Sequence, residues 1–118
     1  MSKHKQLGKK GEIIAREYLK KNNYSILAQN FCKDKKEIDI IAEKDGLLII
    51  VEVKTRSSHQ FGFPEEAVSI EKEENIKEVA EEYQYENPKY QEMRFDIISI
   101  TIKRNKKPEI VHFKDAFY

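Results

Sequence analysis

The sequence predicts an α/β layered domain built on a mixed β-sheet. Two segments carry apolar residues at helical spacing, five short runs are dense in Ile, Val, Leu and Phe, and an Asp-Gly pair separates two of those runs. The order helix, three strands, helix, two strands suits a sheet whose faces are both covered.

In the first segment Leu7, Gly11, Ile14, Ala15 and Tyr18 recur at helical spacing, with Leu19 at the edge of the stripe, and predict a helix over residues 7–21. Glu12 lies about 115° from the centre of that stripe, at its margin. Residues 24–31 read as a strand and residues 32–36 as a polar turn. Residues 37–43 and 47–54 are strands flanking Lys44-Asp45-Gly46, because a type I′ turn needs positive φ at both central residues. That turn fixes a register in which Lys44 faces Leu47, Ile40 faces Val51 and Ile38 faces Val53. On the other face Ile41 meets Ile50, Asp39 meets Glu52 and Glu37 meets Lys54. Aliphatic pairs on both faces predict a sheet covered on both sides. A polar loop with Ser57, Ser58, His59, Gly62 and Pro64 precedes a second helix, N-capped by Ser69 and carrying Glu71, Glu73 and Glu74 in its first turn. Its inner stripe is Ile76, Val79, Ala80 and Tyr83, with Lys72 one turn earlier on the same side. Residues 94–103 and 110–113 are the last two strands, joined by the basic turn 104–107.

With 118 residues and no internal repeat or Gly/Ser/Pro linker, the chain is expected to form one domain over residues 1–118. The longest apolar run, residues 47–51, is far short of the roughly 20 residues that span a bilayer, so no membrane association is expected. A single cysteine, Cys32, excludes an intramolecular disulfide and a cysteine-based zinc site, and a reducing cytoplasm is the expected location. The formal net charge is only +1, but its distribution is uneven. Basic residues dominate up to Lys36 and acidic residues dominate from Glu65 to Glu92. One basic face could meet a polyanion while the acidic face points away, although two solvated helix surfaces explain the charge equally well.

The register sets two carboxylates, Asp39 and Glu52, opposite one another with Cβ atoms about 4.5–5.5 Å apart, where like charges destabilise a sheet. Protonation, a nearby cation or a bound hard divalent metal would each offset the repulsion. Lys54 stands roughly 6.6 Å further along the strand on the same face. A cross-strand ion-pair cluster using Lys54 with Glu37 or Glu52 is the structural alternative.

Glu52-Val53-Lys54 on a strand paired with Asp39 resembles the arrangement of the PD-(D/E)XK nucleases. The set Gly11-Glu12 with Ala15, Glu37-Ile38-Asp39, Val51 through Arg56, Gly62 with Pro64 and Ala67-Val68, Lys72 and Arg94-Phe95-Asp96 resembles the YraN-like family of small bacterial proteins. Lys36 departs from the Gly usual there, which bears on the preceding turn. The resemblance implies a restriction-endonuclease-like α/β/α fold, similar to archaeal Holliday-junction resolvases. It further implies Mg²⁺ or Mn²⁺ bound by Asp39, Glu52 and the Val53 carbonyl, Lys54 acting on the attacking water, and Glu12 assisting the metal. The implied function is metal-dependent endonucleolytic hydrolysis of DNA in repair or recombination. The competing reading is a non-catalytic nucleic-acid-binding or protein-interaction module on the same scaffold.

Around this set, Lys72 either reaches a phosphate or snorkels over its own stripe, and Arg56 either contacts a nucleic-acid backbone or faces solvent. His59 reads as a bystander and Arg94 with Asp96 as a structural ion pair. Cys32 has no partner base to activate it. Tyr83, Tyr85 and Tyr90 read as packing residues. Nucleic acid, specifically DNA, is the expected partner, and homodimerisation is a further expectation because two-strand cleavage benefits from two active sites.

Overall fold

The computed structural model describes residues 3–57 and 68–118, so the loop residues Ser58, His59, Gly62, Pro64 and Ala67 lie outside the described residues. The elements are α1 (Lys3–Lys21), β1 (Ser25–Lys33), β2 (Lys36–Lys44), β3 (Leu47–Ser57), α2 (Ile70–Glu86), β4 (Met93–Ile102) and β5 (Glu109–Phe117). They form one five-stranded sheet in the order β1-β2-β3-β4-β5. Every neighbouring pair is antiparallel except β3 and β4, which run parallel on either side of α2 in the chain. This is a mixed α/β fold, compatible with a restriction-endonuclease-like domain.

The two helices cover opposite faces of the sheet. Ala15 and Leu19 of α1 pack with Ile40, Ala42, Ile49, Val51, Val53, Ile98 and Ile100. Ile76, Val79 and Ala80 of α2 pack with Ile41, Leu48, Ile50, Phe95 and Ile97. Alternate residues of β3 thus feed two cores, which is why residues 48–51 are all apolar and fully buried.

Local chemistry explains the boundaries. Helix α1 closes in a Schellman motif: Tyr24 N–H donates to the Leu19 carbonyl (2.9 Å), Asn23 N–H donates to that of Lys20 (3.1 Å), and Asn23 occupies the left-handed region at φ 68°. Tyr24 and Leu19 then share one core, the apolar contact that accompanies this motif. Ser69 caps α2, its Oγ accepting the Lys72 N–H at 3.1 Å. The reversal between β2 and β3 uses Asp45 (φ 52°) and Gly46 (φ 81°).

Three expectations need correction. The turn before β2 is shorter than residues 32–36: Asp34 (φ 50°) and Lys35 (φ 68°) form it, while Cys32 and Lys33 belong to β1. Lys36 is the first residue of β2, paired with Lys33, so its place needs no glycine. The stripe of α1 is centred on Gly11, Ala15 and Leu19, all buried, so Leu19 is core rather than edge. About that centre Glu12 is only about 60° away at 100° per residue, turned towards the sheet.

The third correction concerns the hairpin. The paired register runs from Lys44↔Leu47 to Ile40↔Val51 and ends there, so the expected backbone pairs Asp39–Glu52, Ile38–Val53 and Glu37–Lys54 are not formed. Two residues apart on β2, Ile38 packs on the α2 side and Ile40 on the α1 side, so strict alternation breaks at Asp39. Pairing of β3 with β4 continues to Ser57↔Ile102. The fork between β2 and β3 is the opening in which the acidic side chains meet.

Candidate functional site

At the fork Asp39 Oδ2 accepts the backbone N–H of Val53 at 2.8 Å, so a side chain takes a donor beyond the last paired position. Its carboxyl group also lies within hydrogen-bonding reach of Glu52. The two acids therefore do meet, through side chains and not through a backbone pair. Glu52 is only 4% exposed, and Lys72 Nζ lies 3.1 Å from its Oε1. The Ser69 cap, which starts α2 three residues before Lys72, places that lysine over the fork.

Helix α1 brings Glu12 to the same opening because position 11 is glycine. A Cβ there would fall 1.8 Å from Thr55 Oγ1 and 2.7 Å from Thr55 Cβ. Only a bare backbone lets the helix lie this close to β3. The Asn30 amide, with its N–H₂ facing both acids, donates to Glu37 Oε1 (2.8 Å) and Glu12 Oε1 (3.1 Å). Asn30 holds φ 49° within β1, a conformation asparagine tolerates better than most residues. Glu12, Glu37 and Asp39 each offer an oxygen within 4.8 Å of the others. Glu37, expected opposite Lys54, stands instead with Glu12.

These groups line an open cleft of about 300 Å³ walled by Leu7, Gly8, Glu12, Asp39, Glu52, Val53, Lys54, Thr55 and Lys72. A second hollow, containing Glu37 and Lys36, continues from it past Asp39, Glu52 and Lys72. Arg56 is half-buried on β3, paired in register with Thr101, and is not among the lining residues.

The electrostatics follow from the crowding. Burial, and then the neighbouring Glu52, push the Asp39 carboxyl up to about 7. Burial, with Asp39 and Glu37 nearby, also raises Glu12. Lys54 is lowered by burial and by the adjacent Lys72 ammonium. Burial alone would lower Lys72 too, but the facing Glu52 carboxylate carries it upward overall. The cation that pairs with Glu52 is thus Lys72.

The other buried acid behaves in the opposite way. Asp96, fully buried, accepts two bonds from Arg94 (2.8 Å each) and one from Asp115 N–H (3.0 Å), and lies 2.7 Å from His112 Nε2. Against the upward push of burial, His112 and Arg94 hold Asp96 below the usual carboxylate range. Tyr18 of α1 meets His112 Nδ1 at 3.0 Å and Arg94 donates to Tyr24 at 3.0 Å, so the network ties α1 to the sheet. Arg94 and Asp96 are a structural pair. Cys32 is exposed on β1, Tyr83 packs edge-on against Phe31, Tyr90 is buried and donates to Glu43, and Tyr85 departs from expectation at 85% exposure.

Comparison with known proteins gives a consistent picture. Residues 11–100 match the model of the family described as Uncharacterised protein family UPF0102. The chain is 48% identical over its whole length to a UPF0102 protein of Flavobacterium psychrophilum, of which it covers 98%. It is 42% identical over its whole length to one of Christiangramia forsetii, again covering 98% of the relative. With a protein of Dictyoglomus thermophilum the identity is 43%, over 88% of this chain and 89% of the relative. The chain therefore belongs to the UPF0102 (YraN) family.

Proposed function

We propose that the protein is a divalent-metal-dependent nuclease of the PD-(D/E)XK superfamily that hydrolyses phosphodiester bonds in DNA. The observation that carries the reading is the meeting of Asp39, Glu52, Glu12 and Lys54 in one open cleft, where burial and then Glu52 push the Asp39 carboxyl up to about 7. A carboxyl displaced by burial and a specific charged neighbour, in an open cleft, is a candidate functional group. The fully paired Asp96 provides the contrast within the same sheet.

The donors fit Mg²⁺ or Mn²⁺, since all are hard oxygens: the carboxylates of Asp39, Glu52 and Glu12 and the carbonyl of Val53. Burial first, and then the neighbouring carboxylates, make the charged forms of Asp39 and Glu12 costly, and a cation would relieve that cost. Glu37 adds a further carboxylate at the edge of the set. Bound there, the ion would polarise a phosphoryl oxygen and acidify a water. Lys54, with its lowered affinity for a proton, accepts one from the attacking water. The water oxygen forms the new bond to phosphorus, the ester P–O bond breaks, and the leaving oxygen takes a proton from solvent. Lys72 holds Glu52 in place and presents its remaining donors to a phosphate, and Arg56 extends the basic edge along β3. The exposed free thiol of Cys32 suits a reducing cytoplasm.

Cleavage of linear, single-stranded and branched DNA with Mn²⁺ tests the proposal. Wild type should cut at least one form, while Asp39→Ala and Glu52→Ala, folded by circular dichroism, should not. Intact substrates throughout would leave the non-catalytic scaffold as the better reading.

A further inference from the structure

Gly8 is the unexplained residue of the cleft. It lies on the same axis of α1 as Gly11, Ala15 and Leu19, about 20° from the centre of the sheet-facing stripe at 100° per residue. The other three are buried, whereas a Cβ on Gly8 would meet no described atom within 4 Å. The two glycines therefore have different causes. Gly11 is required by Thr55, but among the described residues no contact requires Gly8, and its backbone φ does not fall in the left-handed region. A glycine inside a helix weakens it relative to alanine. On the inward face, next to Leu7, an apolar side chain would ordinarily fill the space. Here the space is the cleft itself, with Gly8 on its wall beside Glu12, Lys54 and Thr55.

The charges along that wall indicate what the clearance admits. Lys5, Gly8 and Glu12 follow one another at i, i+3 and i+7, one line down the helix. Lys5 is exposed at the outer end, and Glu12 lies among the acids at the inner end. Lys9 stands close enough to lower Glu12's affinity for a proton. Across the cleft are Lys54 and Lys72. Cations at the rim around a smooth backbone surface suit a polyanion with a bulky repeating unit.

We propose that Gly8 is a positioning residue that keeps open the path of one nucleic-acid strand, so that its sugar–phosphate backbone passes directly against the α1 backbone on its way to the acids. The inference rests on the nuclease reading in that it takes the cleft's ligand to be a nucleic-acid strand.

Three variants test it: Gly8→Ala, Gly8→Leu and, as control, Gln6→Leu, which places the same leucine side chain on the outward face about 180° away. Binding is read by anisotropy of fluorescein-labelled single-stranded, duplex and branched oligonucleotides in Ca²⁺, and folding and site integrity by the melting temperature with and without Mn²⁺. Gly8→Leu should bind at least about tenfold more weakly and Gly8→Ala a few-fold more weakly. Both should melt no lower than wild type and keep any Mn²⁺-induced rise, and Gln6→Leu should bind as wild type does. Wild-type affinity in Gly8→Leu overturns the role of Gly8 while leaving the nuclease reading intact. Equal weakening by Gln6→Leu also overturns it, since the effect would then not belong to the cleft. Failure of wild type to bind any of the three DNA forms overturns both.

Discussion

Replacing Asp39 by asparagine should make the metal-free protein more stable, by an amount that depends on pH. The carboxyl is raised from 3.8 to about 7 by burial and by Glu52. A raised carboxyl binds its proton more tightly in the folded chain than in the unfolded one. Asp39 therefore costs nothing below about pH 3.8, and its cost grows as pH climbs to about 7, beyond which it is present in full. A displacement of about three units at about 1.4 kcal/mol each sets a ceiling of about 4 kcal/mol. Water in the open cleft and the nearby Lys72 reduce it, and roughly 2 kcal/mol is expected. The introduced carboxamide can still accept the Val53 N–H and can donate to Glu52, so the substitution removes charge without removing the bonds. Urea unfolding in chelator at about pH 4.5 and pH 8 reads the difference, with titrations common to both chains cancelling. The variant should exceed wild type by about 1 kcal/mol at the lower pH and by about 2 kcal/mol at pH 8. A variant less stable than wild type at pH 8, or an advantage unchanged between the two, would refute the claim that Asp39 is held against its charge.

Four further outcomes are expected. Mn²⁺ should raise the melting temperature of wild type, by the equivalent of about 2.7 kcal/mol at one hundred times Kd, and that rise should vanish in Asp39→Asn. Lys72→Ala leaves the buried Glu52 without its cation, so the metal-free protein should melt lower, and Mn²⁺ should stabilise it by more than it stabilises wild type. Gly11→Ala drives a methyl into Thr55 and should cost about 1–3 kcal/mol by chemical denaturation, the opposite sign from the alanine change one turn earlier. Asp96→Asn leaves the Arg94 charge without its buried partner and should cost about 3–5 kcal/mol. Because Asp96 is held low, its stabilising contribution is present above about pH 3.8 and is lost only as pH falls through its folded value, so the variant should flatten the acid limb of the unfolding curve.

The order of elements, the Asp45-Gly46 reversal and the Ser69 cap are legible in the sequence because each rests on a few adjacent residues with one favoured backbone solution. The register follows from the turn and holds as far as Ile40↔Val51. It fails at Asp39 because the break there depends on partners distant in sequence. Asp39 bonds Val53, while Asn30, on the neighbouring strand, turns into the left-handed region to bridge Glu12 and Glu37. An asparagine inside a strand is the signal that points to the break, since Asn is disfavoured in strands and favoured at positive φ. Glu37 escapes sequence reasoning for the same reason, because alternation alone assigns it to a face. The stripe of α1 comes out rotated because Leu7, Ile14 and Tyr18 are larger than Gly11 and Ala15, although the small residues mark where the helix lies closest to the sheet.

Anomalous scattering from crystals soaked in Mn²⁺ tests most directly whether the two acids of the fork hold a metal. A peak is expected in the fork, about 2.1–2.6 Å from oxygens of both Asp39 and Glu52, with Lys72 displaced from Glu52. No peak in the cleft, or one held by Glu12 and Glu37 with Glu52 still bound to Lys72, would contradict it.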